Sequence, residues 1–295
     1  MNREHLTKAF EQYVSAYNAD DPKIRLKIDH SYRVAELAER IAETVGCAET
    51  VGGAKAVKGA ETVECAETAH DADPDFAWTM GLLHDVGRFE QVKRFGTFVD
   101  AESIDHAQLG ADLLFREGLL EQLAGEAMDE EQRHLLEIAI RNHSAYRISE
   151  GLSEKEQAYC NILRDADKID IFRVLWDIPP EEIYDVSLEE IRAAAVSDEV
   201  KDCFLAHTAV LRSKRRTPID KIVGHICLTF ELVYPVSRQI AREQGYVDRL
   251  LAFPSENEDT ARWFAYMREH IWEDDEENIG SAAMTYQRIA GSVKP

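Results

Sequence analysis

Apolar residues recur at intervals of three and four through most of this chain, and no stretch shows the strict alternation of a half-buried strand. Leu6, Phe10, Tyr13 and Val14 predict one helix. Val34, Leu37, Ala38, Ile41 and Val45 predict a second, opening at Asp29–His30–Ser31. Phe76, Met80 and Leu83 mark a third, and Leu135, Ile138, Ala139 and Asn142 a fourth. A fifth runs through Ala158, Ile162, Ala166, Ile169 and Arg173 and stops before Pro179–Pro180. Ile222, Ile226, Phe230 and Val233 continue the helical spacing towards the C-terminus. The expected fold class is all-α.

Residues 46–75 interrupt this pattern. They are small and polar, with Ala-Glu-Thr at 48–50, 60–62 and 66–68, and read as an inserted surface loop, with a short exposed helical hairpin as the alternative. The organisation expected is a core over 1–180 and a helical extension over 181–295 packed on it, with a separate C-terminal domain as the other possibility. Trp263, Phe264, Tyr266 and Met267 read as core, and Glu273–Glu277 as a solvated face. The basic run Arg212–Arg216 reads as a surface loop offsetting neighbouring acids; the competing reading is contact with an anionic ligand.

Charge removes several function classes. With 56 acids against 34 Lys and Arg, the net charge is −22, which repels phosphate backbones and argues against general nucleic-acid binding. Apolar runs such as Ile222–Phe230 are far short of the roughly 20 residues of a membrane span. The first residues lack the apolar core of a signal peptide. Five cysteines without a CxxC pair indicate neither a disulfide framework nor a thiolate zinc site. The expected compartment is the cytoplasm.

The residues that bear chemistry centre on His84–Asp85 in GLLHDVGRFEQ, at the end of an apolar helix where Gly87 is expected to relax the backbone. Imidazole and carboxylate together suit Mn, Fe, Co, Ni or Zn. Adjacent side chains on one helix do not share a face, so this pair binds one ion only if the helix end distorts or the ion lies along the axis. His30 and Asp167, on other helices, would complete a site at a bundle centre.

The order His30, His84–Asp85, Asp167 resembles the HD-domain superfamily of metal-dependent phosphohydrolases. HSYRVAELAERIA resembles the helix carrying the first His, GLLHDVGRF the signature pair, and DADKIDIF the helix carrying the last Asp. The resemblance covers about residues 25–177. It implies an HD-domain helical bundle with additional C-terminal helices, and it selects Asp167 over Asp165 and Asp170. His106 in SIDHAQLGADLL and His143 in IRNHSAYRI match the subgroup that holds two ions. By this resemblance Asp85 bridges them, His30, His84 and Asp167 hold the first, and His106 and His143 complete the second. The alternative is an empty second site in which these two histidines meet substrate phosphate or pack in the core.

Arg88 resembles the basic residue of the HD-x-G-K pattern of cyclic dinucleotide phosphodiesterases, where a guanidinium would grip phosphate; a salt bridge to Glu90 or another acid is the alternative. Lys168, after the last ligand, has two readings of its own, phosphate contact or solvent. Gly-Tyr-Pro does not follow the pair, which argues against cyclic di-GMP. The resemblance implies phosphoester hydrolysis by metal-activated hydroxide with one or two divalent ions (Mn, Fe, Co, Ni or Zn, with Mg possible). On the same resemblance Asp85 and Arg88 are the expected catalytic residues, and a nucleotide or other small phosphorylated metabolite the expected substrate. The alternatives are a di-iron oxygenase built on the same ligand order and a non-catalytic nucleotide-sensing module. Oligomeric state stays open.

Overall fold

The computed structural model describes residues 2–18, 20–47, 72–125, 128–184 and 186–272. Most of the inserted loop, 48–71, and the acidic run Glu273–Glu277 lie outside them. Among the described residues the fold is all-α, with no strand, and no helix is long and apolar enough to cross a membrane. The chain divides into two compact units, Met1–Asp167 and Lys168–Pro295.

In the first unit, α1 (Arg3–Val14) buries Leu6, Phe10 and Val14. The Phe10 ring meets Tyr32 of α2 (Pro22–Cys47) edge-on at 5.7 Å. The second helix starts eight residues earlier than its sequence signals suggest. Pro22 supplies a preset first-turn φ, and Ile24, 3% exposed, extends the apolar stripe upstream. His30 therefore sits inside the helix and does not open it.

α3 (Pro74–Leu83) is capped by the Asp73 carboxylate, which accepts from the Asp75 and Phe76 amides. Every residue from Phe76 to Leu83 is buried, which makes it the central helix of this unit. Gly81 lets it lie against α2 at backbone distance: a Cβ there would stand 2.5 Å from Ala35 Cα.

α4 (Val86–Phe95) begins after a break at His84–Asp85. Next come a short 3-10 turn at Asp100–Glu102 and α5 (His106–Phe115), capped by Asp105. Gly87 has no left-handed φ. The expectation that it relaxes the backbone is corrected: its work is close approach, since a Cβ there would overlap the His106 carbonyl and stand 2.6 Å from Gly110 N. Backbone cannot yield as a side-chain tip can. Gly87→Ala is expected to cost at least the roughly 1–3 kcal/mol typical of overpacking. A thermal melt checks it, with unchanged Tm as the contrary result.

α6 (Leu119–Ala124) and α7 (Glu130–Asn142) follow, the latter opened by a reciprocal Asp129–Gln132 capping box. α8 (Glu154–Asp177) begins in this unit and runs into the second, which starts at Lys168; in its first part Arg164 Nη1 donates to the carbonyls of Asn142, His143 and Ala145.

The second unit contains α9 (Pro180–Tyr184), α10 (Leu188–Ala193), α11 (Asp198–Leu205) and α12 (Pro218–Ile226). α13 (Pro235–Gln244), α14 (Tyr246–Leu251) and α15 (Glu258–His270) complete it. Trp263, Phe264, Tyr266 and Met267 are all buried, as core. The spacing through Phe230 and Val233 does not continue the helix: α12 ends at Ile226, a 3-10 turn covers Cys227–Glu231, and Val233 is 54% exposed.

Within the basic run, Arg216 lies 3.7 Å from Glu199, as a charge-offsetting loop would have it. Arg215 instead turns inward, donating to the carbonyls of Val210 and Gly224 with Nη1 3.5 Å from His225 Nε2. Cys160, Cys203 and Cys227 are buried free thiols.

Candidate metal centre

Helix ends deliver most of the site. His84 caps the C-terminus of α3 and Asp85 sits at the N-cap of α4 with φ −107° and ψ 18°. The helix axis is reset between the two residues, so neighbours in sequence point into one space. His106 is the first residue of α5, His143 caps α7, His30 comes from α2 and Asp167 from α8. All four histidines and Asp85 are buried to 4% exposure or less.

These side chains form two adjoining groups around one carboxylate. On one side, His30 Nε2 lies 3.3 Å from His84 Nε2 and 3.1 Å from Asp167 Oδ1. Asp85 Oδ2 faces this pair, at 3.6 Å from His30 and 3.4 Å from His84. On the other side, His106 Nε2 and His143 Nε2 are 3.0 Å apart, and Asp85 Oδ1 lies 3.5 and 3.6 Å from them. Ligands at metal bonds of about 2.0–2.2 Å stand about 3.0–3.5 Å apart at octahedral or tetrahedral angles, so these spacings are those of cation ligands.

The hydrogen bonding makes the same case independently. His84 Nδ1 donates to the Gly81 carbonyl and His143 Nδ1 to the Ile140 carbonyl, each at 2.7 Å. His106 Nδ1 donates to Asp100 Oδ2 at 2.8 Å. A carbonyl or carboxylate only accepts, so Nδ1 carries a proton in each ring; in the neutral form, the one that binds a cation, Nε2 is then a lone pair. His106 Nε2, His143 Nε2 and Asp85 Oδ1 are then three acceptors facing one another, and Asp85 Oδ1 is buried with no hydrogen-bond partner. Buried acceptors in contact are destabilising unless something positive lies among them. The residues present fit a divalent cation. An outer partner on the far nitrogen is also the usual arrangement around a metal-ligating histidine.

Titration follows the same field. Burial opposes the charge on His84, but Asp85 and Asp167 outweigh it and carry its pKa up to about 10. Burial pushes His106 down to about 4 despite its bond to Asp100, which keeps this ring neutral. Burial works against ionisation of Asp85, yet Lys27 and His84 hold it well below the carboxylate range. His30 and His84 do the same for Asp167.

Arg88 does not pair with Glu90, which bonds Arg94 and Tyr17. Its Nη1 donates to Gln91 Oε1, the Phe98 carbonyl and Asp100 Oδ1 at 2.7–2.9 Å. Its Nε lies 3.8 Å from Asp85 Oδ1, buried and without a hydrogen bond. Lys168 is 6% exposed, which removes the solvent reading for it.

Sequence reasoning missed two participants. Lys27 Nζ lies 2.6 Å from Asp85 Oδ2; it is one helical turn before His30, a signal hidden by the misplaced start of α2. Asp100 accepts from His106, Arg88 and Gln91, and burial notwithstanding, these donors hold its pKa well below the usual range. No motif marks it. Asp100→Asn leaves His106 free to turn or change tautomer, and is expected to weaken metal binding at the His106–His143 side by about 10–100-fold. Calorimetric titration with Mn(II) measures it; unchanged affinity would assign Asp100 to the Arg88 network alone.

Residues 28–172 match the family described as HD domain, a span that contains all six candidate ligands. The chain thus carries a domain of the HD superfamily, a superfamily of metal-dependent hydrolases. Neither the curated proteins nor the solved structures hold a match to it.

Proposed function

We propose that this protein is a metal-dependent phosphohydrolase with a two-cation centre, acting on a nucleotide or other small phosphorylated metabolite. The observation that carries this reading is the Asp85 carboxylate, which turns one oxygen to the His30–His84 pair and the other to the His106–His143 pair. His30, His84 and Asp167 would hold one ion, His106 and His143 the other, and Asp85 both. A divalent cation bound there supplies Lewis acidity, which polarises a phosphoryl oxygen and lowers the pKa of water from about 15.7 to about 7.

The chain's own groups do the remaining work. Arg88 is fixed by three acceptors on Nη1, so its unpartnered Nε is held beside Asp85 Oδ1 as a donor for phosphoryl oxygen. Lys27 adds a second cation, and both cations approach the Phe98 ring, with distances of 5.8 and 5.7 Å to its centroid. In a chain of net charge −22, with Lys27 and Arg88 each beside a carboxylate, bound divalent cations would supply the positive field that lets an anionic substrate approach.

The test is a panel of nucleotides and generic phosphoesters offered to protein loaded with Mn, Co, Ni, Fe or Mg. Turnover with at least one metal is the expected result. None under any metal, or oxygen consumption by an iron-loaded protein in place of phosphate release, would overturn the reading. Arg88→Ala is expected to lower kcat about 10²–10³-fold, the cost of one lost transition-state donor, with metal content unchanged. Loss of metal along with activity would instead mark Arg88 as a structural anchor for Asp100.

A further inference from the structure

The second unit contains a cavity of about 340 Å³, a size typical of small-molecule sites. Its walls are mainly apolar and aromatic, with Leu175, Trp176, Tyr184 and Phe253 among them, and its charged lining residues are Arg192 and Arg249, with no acid. Trp176 stays 49% exposed, an indole held in water beside the opening. The Arg249 guanidinium lies 5.5 Å from the centroid of that indole and 5.3 Å from that of Tyr246.

Among the described residues, neither arginine has the carboxylate partner that several guanidinia of this chain find. Acids outnumber Lys and Arg 56 to 34, so a guanidinium ordinarily finds a carboxylate nearby. Arg3, Arg88, Arg94, Arg133 and Arg141 each do. Among the described residues neither Arg192 nor Arg249 donates a side-chain hydrogen bond or forms an ion pair, and Arg192 Nε is buried with no partner. A buried guanidinium donor left unpaired against apolar walls is costly. Two cations, an aromatic wall and no competing acid make one complementary shape.

We propose that this cavity binds an amphipathic organic anion: an aromatic or short aliphatic body lying against Trp176 and Phe253, with one carboxylate or phosphate received by Arg192 and Arg249. Charge complementarity selects the head group, since guanidinium matches both anions by parallel hydrogen bonds. The apolar walls select the body.

The full chain is titrated with the fluorescent aromatic anion anilinonaphthalene sulfonate, and bound dye is then displaced with decanoate, decyl phosphate or the neutral decanol. Saturable dye binding is expected, with displacement by an anion at concentrations where decanol has no effect. Whichever of decanoate and decyl phosphate displaces at lower concentration identifies the head group. Arg192→Met and Arg249→Met are each expected to weaken the anion about tenfold, the loss of a charge-assisted contact, while leaving decanol unchanged. Arg249 and Trp176 are both exposed, so Arg249→Met and Trp176→Ala keep the test open if Arg192→Met fails to fold. Decanol displacing as well as the anions, dye that does not saturate, or anion affinity unchanged in folded Arg249→Met and Trp176→Ala overturns the proposal.

Discussion

Asp85→Asn is expected to strip both halves of the centre of bound cation and to lower metal-dependent phosphoester turnover by more than about 10³-fold, beyond the cost of one lost transition-state donor. The reason is geometric. Asp85 is the residue whose two oxygens face different histidine pairs, Oδ2 at 3.4 and 3.6 Å and Oδ1 at 3.5 and 3.6 Å. No other side chain in the group reaches both in this way, so a single neutralised carboxylate removes a ligand from each. The metal-free fold should survive. An amide at this place can offer N–H to the His106 and His143 lone pairs, where Asp85 Oδ1 is a buried acceptor without a partner. Elemental analysis of purified protein gives metal content, and a melt in chelator gives the metal-free Tm. The expected pattern is metal lost with Tm kept or raised. Two equivalents of metal retained by the variant would remove Asp85 from its bridging place.

The sequence carried the parts of this centre that repeat across a helix or follow a fixed spacing. Helical periodicity located the helix of His30, and the His84–Asp85 pair was visible as a pair at a helix end. It could not say that the helix breaks between these two residues, and that break is what turns both side chains into one space. His106 and His143 were legible through family order, not through local pattern, since each lies at a helix end whose direction depends on tertiary packing. Gly87 was visible, but its role was not: whether glycine relieves φ or admits a neighbour depends on what packs against it, here the His106 carbonyl and Gly110. Asp100 had no signal at all. It lies in a three-residue 3-10 turn, and its meaning comes from His106, Arg88 and Gln91 converging on it. Lys27 would have been legible with a correct start for α2, because a residue three before His30 shares its face. The paired arginines of the second-unit cavity were illegible for a related reason: an absent partner is a property of the fold, not of a motif.

Replacing His106 and His143 together by alanine is expected to remove one cation and leave the other. The two groups share Asp85, but the His30 side has its own carboxylate, with Asp167 Oδ1 3.1 Å from His30 Nε2. The His106 side has no second carboxylate of this kind: Asp100 is engaged at Nδ1, on the far edge of the ring. The first group therefore keeps two imidazoles and two carboxylates after the substitution, enough for a divalent ion. The second group is left with one oxygen of Asp85. Cation that binds the folded chain alone raises stability by RT ln(1 + [L]/Kd), about 2.7 kcal/mol per site at a hundredfold excess over Kd. Wild-type protein should thus gain stability in two phases as Mn(II) is titrated, and the double variant in one. His30→Ala is the complementary case, and should weaken the phase the double variant keeps. Turnover should fall in both, because each variant would leave the proposed centre with one cation lost or more weakly held, and so short of the Lewis acidity it would supply. If the double variant loses all metal, the ions are held as a single coupled unit. If it loses none, His106 and His143 serve substrate or packing, and the centre is mononuclear around His30, His84, Asp85 and Asp167.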